Sequence, residues 1–159
     1  MQWFRLVYAA ADDNDTLVQA LLASEYYENL YETAKDDVRP KRGTSVESLS
    51  TRLPGMVEER YGQLYDLESI LELLENRYKK VKQDETKRFF EFYQRSLTYA
   101  QAKDYAEATD EVQLIHSAIQ RVAAVRNLYM GLYKALDTLQ FQISNVVKMR
   151  CAGLDDASL

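Results

Sequence analysis

Between Val122 and Val146 the apolar side chains fall at Val122, Val125, Tyr129, Leu132, Leu136, Leu139, Ile143 and Val146, in steps of three and four without a slip. That rhythm puts one continuous apolar seam on an α-helix and fits no strand, whose side chains alternate with a period of two. The seam extends backwards through Val112, Ile115 and Ile119. A second seam runs through Val57, Tyr61, Leu64, Leu67, Leu71, Leu74, Tyr78 and Val81, breaks at Asp84, Glu85, Lys87 and Arg88, and resumes as Phe89, Phe92 and Tyr93. Breakers are scarce: both prolines, Pro40 and Pro54, lie in the first third, and the whole chain has five glycines. The expected fold class is therefore all-α. Two long helices, at about 55–97 and 107–150, form an antiparallel hairpin across the acidic connection SLTYAQAKDYAEATDE, with room for a short helix in the bend.

The N-terminal third differs. Residues 1–37 carry eight acidic side chains against Arg5 and Lys35, a balance of 2 − 8 = −6. Asp15 and Thr16 offer a helix start, and Leu17, Leu21, Leu22, Tyr26 and Leu30 share one face, which predicts an additional helix over 15–36 packing through those residues. MQWFRLVY fits a strand, a short helix or a tucked arm. Pro40 and Gly43 interrupt the chain around the basic Arg39, Lys41 and Arg42. Thr44, Ser45 and Glu47 can start a short helix, and Pro54 suits the first turn of the next one. The expected organisation is an acidic helical segment and basic linker at 1–54, a helical hairpin at 55–152 and a tail at 153–159.

The last helix has more apolar surface than one partner can cover. Leu128, Met130, Tyr133, Phe141 and Val147 lie off its main seam. Such surplus marks an interface, so the sequence predicts a homo-oligomer assembled through Tyr129, Leu132, Leu136, Leu139, Ile143 and Val146. The single Cys151 allows no intrachain disulfide, which suits a reducing compartment, and the short apolar run at the start is expected to be neither a bilayer span nor a signal peptide.

Catalytic chemistry has little to stand on, and the expectation is a protein that is not an enzyme and uses no cofactor. The one histidine, His116, borders the apolar seam and reads as a packed edge residue. Cys151 has no histidine near it in sequence. Glu68, Glu72 and Glu75 share a helical face but lack the Glu-x-x-His partners of carboxylate-bridged metal sites, so no metal is expected there. Asp104, Glu107, Asp110 and Glu111 place negative charge at the start of the last helix, where the macrodipole favours it.

One stretch stands apart. Residues 76–95, NRYKKVKQDETKRFFEFYQR, hold seven Lys and Arg against three carboxylates, a balance of 7 − 3 = +4 in a chain whose net charge is −5. Cations along a line bind phosphates, and aromatic faces beside them stack bases of a single strand. The same residues also fit a solvated helix shoulder with its rings packed inward. Both readings stay open on composition alone.

The order of segments carries a resemblance. YKKVKQDETKR, then FFEFYQRSL, then an acidic bend, then VRNLYMGLYKALDTLQFQISNVVKMR resembles the UvsY-like recombination mediators of tailed phages over residues 70–152. The resemblance implies a helical, ring-forming homo-oligomer in the host cytoplasm that binds single-stranded DNA. It would load a RecA-like recombinase onto strands coated with a single-strand binding protein. It places DNA contacts on Lys87 and Arg88 with Lys79, Lys80 and Lys82 one to two turns earlier, and the basic sector of the helix adds Arg95 to the expected phosphate contacts. The alternative is a helical virion or scaffolding protein whose basic stretch meets another protein.

Overall fold

The computed structural model describes residues 3–10, 12–40, 44–93 and 96–154. The described residues are all-helical, with no strand. They form α1 (Trp3–Tyr8), α2 (Asp13–Val38), α3 (Val46–Phe92), α4 (Tyr99–Glu107) and α5 (Asp110–Cys151). Of the stretch MQWFRLVY, the described residues Trp3–Tyr8 form the short helix among its three options. Arg95, one of the expected DNA contacts, and the stretch 155–159 of the expected tail lie outside the described residues.

The helix ends follow from capping. Asp12 starts α2, its carboxylate accepting from the Asp15 amide at 2.8 Å and its carbonyl from the Thr16 amide at 3.0 Å. The start is three residues earlier than the Asp15–Thr16 pair suggests, because Thr16 turns its hydroxyl inward instead. Ser45 starts α3 by accepting from the Ser48 amide at 3.1 Å. In α4, Thr98 and Gln101 form a reciprocal capping box. α5 closes at Gly153, whose φ of 88° lets the Leu154 amide reach back to the Met149 carbonyl and its own amide to that of Arg150.

Pro54 does not begin a helix; it lies inside α3. Its missing N–H leaves the Ser50 carbonyl without the usual helical donor. The ring faces solvent, while Leu49, Leu53, Met56 and Arg60 are buried on either side of it. The seam that continues through the proline holds the helix together, and Ser45 has already supplied the start.

The chain packs as two compact units, one of Met1–Glu25 with Asp66–Ala124 and the other of Tyr26–Tyr65 with Val125–Leu159. In the first, Leu67, Ile70, Leu74 and Val81 of α3 are buried, as are Val112, Ile115 and Val122 of α5. Leu17 of α2 packs on the cluster of Val81, Val112 and Ile115. α1 is tied down where the buried Asp66 accepts from the Phe4 amide at 3.1 Å, and Val7 is buried beside it in sequence. Arg77 donates to the Thr16 hydroxyl at 2.8 Å, which joins α3 to α2. Lys82 of α3 pairs with Glu107 of α4 and lies 5.5 Å from the Tyr78 ring centre.

The second unit is built around Tyr129. This residue is 0% exposed, donates its hydroxyl to the Tyr27 carbonyl at 2.9 Å and meets the Tyr27 ring edge-on at 5.5 Å. Burial pushes its phenol up to about 12. Arg60, also buried, pairs with Asp37 at 3.2 Å and Glu59 at 2.9 Å. Glu47 near the start of α3 pairs with Arg150 near the end of α5 at 2.8 Å.

α2 packs through a different face from the one its leucines suggest. Its buried residues are Thr16, Ala20, Ala23, Ser24, Tyr27, Ala34 and Val38, whereas Leu21, Leu22 and Tyr26 are exposed and Leu17 and Leu30 are half-buried. Small side chains let helix backbones approach closely. Leu21 and Leu22, each 44% exposed, forgo part of the roughly 1.5–3 kcal/mol that full burial of a leucine is worth.

Candidate nucleic-acid interface

The basic stretch lies on α3 in the first unit, and its cations are not equivalent. Lys82 is engaged by Glu107: the hydrogen bond between them raises the lysine and lowers the carboxyl from their ordinary values. Arg88 is bonded to Glu85 at 2.9 Å and sits 5.5 Å from the Phe89 ring centre. Lys79, Lys80 and Lys87 are exposed, and among the described residues they make no ion pair. These three are the cations a phosphate can take without breaking an existing contact.

At about 100° per residue, Lys79, Lys80, Gln83, Lys87 and Phe90 fall on one sector of α3, away from Tyr78, Val81 and Phe89. Asp84 and Glu91 border that sector. Lys80 also lines an open groove of about 550 Å³ with Val7, Thr16, Arg77, Asp84 and Glu111.

The rings divide into two sets. Phe89 and Tyr93 stack on Tyr105 at 5.7 and 5.4 Å, which holds the end of α3 against α4. Phe90 is 53% exposed and meets Tyr99, 64% exposed, edge-on at 6.3 Å. Phe92, expected in the seam, is 79% exposed because α3 ends there. Tyr99 is the residue that sequence reasoning missed. Phe90 was findable: it lies three positions beyond Lys87, the spacing of neighbours on one helical face, and eleven beyond Lys79, about three turns.

The residues expected at a subunit interface are on α5. Tyr129, Leu132, Leu136, Leu139, Ile143 and Val146 are all buried within one chain, in the core of the second unit. Intrachain packing covers that seam. On the same helix Leu128, Phe141, Val147 and Met149 are exposed.

His116 lies 5.7 Å from the Tyr78 ring and 3.0 Å from the Gln120 amide, at the edge of the seam. Cys151 is exposed at the end of α5. Among the described residues no three His, Cys, Asp or Glu side chains converge as metal ligands. No helix among them is long and apolar enough to cross a membrane. No protein-family model matches the chain, and neither curated proteins nor solved structures give a significant match.

Proposed function

We propose that this protein binds single-stranded DNA along the outer face of α3 and acts as a phage recombination mediator. In this reading it works in the host cytoplasm as a homo-oligomer and helps a RecA-like recombinase replace a single-strand binding protein. The observation that carries the reading is the coincidence on one helical face of Lys79, Lys80 and Lys87, none of them ion-paired, with the exposed Phe90–Tyr99 pair. Lysines hold phosphates in any sequence, and each exposed ring offers a face to a base. The hairpin of α3 and α5 belongs to the proposal. Its support is that contacts within each unit run in opposite senses, Tyr78 to His116 and Lys82 to Glu107 in one, Glu47 to Arg150 and Tyr61 to Tyr133 in the other. A ring of subunits would multiply weak sites, since linked sites gain avidity of roughly 10²–10⁴.

The test is a titration with single- and double-stranded DNA at several salt concentrations. Three phosphate contacts per subunit give a log–log salt slope of about −2 on single strands. Replacing Lys79, Lys80 and Lys87 with Ala should flatten it towards zero at unchanged helicity. Replacing Phe90 and Tyr99 with Ala should lower affinity by about 1–3 kcal/mol per stacked base and leave the slope unchanged. A wild type that binds no DNA at low salt favours the second reading, a helical assembly or scaffolding protein. The exposed leucines of α2 are the observation on that side.

A further inference from the structure

Asp84 stands between Lys80 and Lys87 on α3, four residues after the one and three before the other. At those spacings the three side chains are neighbours on the helix surface, so a carboxylate interrupts the line of cations at its middle. Asp84 is exposed and makes no ion pair among the described residues. It lies inside α3, away from both ends, so no helix terminus accounts for its charge. Together with Asn76 and Lys80 it lines the open groove of about 550 Å³, a volume within the roughly 300–1,000 Å³ of ligand clefts. The groove also takes in Tyr8 of α1, 73% exposed, and Glu111 of α5, which is exposed and likewise unpaired among the described residues. Two other charged groups there are already engaged: Glu85 by Arg88, and Arg77 by the Thr16 hydroxyl.

We propose that this groove takes one unstacked base of the bound strand and selects guanine. The inference rests on the single-strand reading above and adds base selectivity to it. Free carboxylates beside a phosphate-binding line repel the phosphates. What a carboxylate attracts in a nucleotide is an N–H donor on the edge of its base. Guanine carries two such donors side by side, N1–H and N2–H, which match the two oxygens of one carboxylate. Adenine and cytosine each offer an amino group beside a ring nitrogen that accepts, and thymine offers one N–H between two carbonyls. In all three a carboxylate also meets a lone pair. The Asn76 amide can donate to guanine O6 next to the paired edge, and the exposed Tyr8 ring offers the base a stacking face. Lys80 and Lys87 keep their place on the flanking phosphates.

The experiment is a fluorescence-anisotropy titration of the full chain with short thymine strands that carry, at one central position, thymine, guanine, adenine, cytosine or hypoxanthine. The guanine strand should bind roughly five- to tenfold more tightly than the all-thymine strand, the lower end of what a bidentate base contact discriminates. Hypoxanthine keeps N1–H and O6 but lacks the N2 amino group, so it should lose most of that advantage. Asp84→Asn with Glu111→Gln should bring the guanine strand down to the level of the all-thymine strand. The ratio of the two affinities is the readout, because a disturbed fold lowers both. Tyr8→Ala should weaken the guanine strand about fivefold or more at unchanged salt slope. Equal affinity for all five strands with a salt slope of about −2 overturns base selection and leaves the single-strand reading standing. A guanine preference that survives the double carboxylate exchange overturns the assignment to this groove. A wild type that binds none of the strands at low salt overturns the single-strand reading and this inference with it.

Discussion

Tyr129 places its hydroxyl on the Tyr27 carbonyl and its ring between the edges of Tyr27 and Tyr31. A carbonyl already engaged in α2 accepts this extra bond, so removing the hydroxyl leaves no stranded acceptor. Tyr129→Phe should therefore cost only about 0.5–1.5 kcal/mol, the net worth of one neutral hydrogen bond. Tyr129→Ala removes the ring as well and should cost about 3–5 kcal/mol through the cavity it leaves. Urea denaturation of the two variants checks the difference, and equal losses would mean that the hydroxyl rather than the ring holds the site. The contrast with Lys82 is instructive. The sequence showed Tyr129 as a seam position and Lys82 as a cation, but the partner of each comes from a segment remote in the chain. Glu107 neutralises Lys82 from α4, and nothing in the spacing of KKVK separates that lysine from its unpaired neighbours.

At the scale of elements, the Lys82–Glu107 pair fastens α4 to α3, and its pH window follows from the two shifts. The hydrogen bond and charge of Lys82 lower the Glu107 carboxyl below its ordinary value of 4.5. Its contribution is present above that value and lost as pH falls through the lowered one. Lys82 is raised above its ordinary value of 10.5, chiefly by the Glu107 hydrogen bond, so its share is complete below 10.5 and lost as pH rises beyond. Amide exchange in α4 should thus accelerate, after correction for intrinsic rates, when pH drops from 6 to about 3. Lys82→Met should abolish that pH dependence; its persistence would mean that a carboxylate other than the Glu107 partner of Lys82 sets the acid response of α4. Pro54 supplies a second test. Pro54→Ala restores a donor to Ser50 on an exposed helical face, so it should stabilise the protein by up to about 3 kcal/mol. A lower melting temperature for this variant would show that the proline shapes α3 in a way the chain needs. Helix existence was legible because apolar spacing and missing breakers act locally. The packed face of α2 was not. Leu17, Leu21 and Leu22 and the series Ala20, Ala23, Tyr27 and Ala34 are both helical stripes, and tertiary packing, which spacing along the chain does not encode, buried the small one.

The whole molecule keeps its charges apart along the chain, −6 over residues 1–37 against +4 over residues 76–95. That separation was fully legible, and it is why a chain with net charge −5 can still present three unpaired lysines on one face of α3. What the sequence hid was the use of the seam on α5, which packing inside the chain consumes, so that the surplus apolar surface appears on α2 as well as on α5. The lone tryptophan adds a consequence of another kind. Trp3 sits in α1, which the Phe4–Asp66 hydrogen bond fastens within the first unit, while the second unit holds tyrosines but no indole. Emission excited at the red edge of the absorption band therefore reads the first unit alone, whereas far-ultraviolet ellipticity averages over both. The molecule carries a built-in optical division between its two halves, and the gap between those two melting curves measures how cooperatively α2, α3 and α5 bind the halves into one folding event.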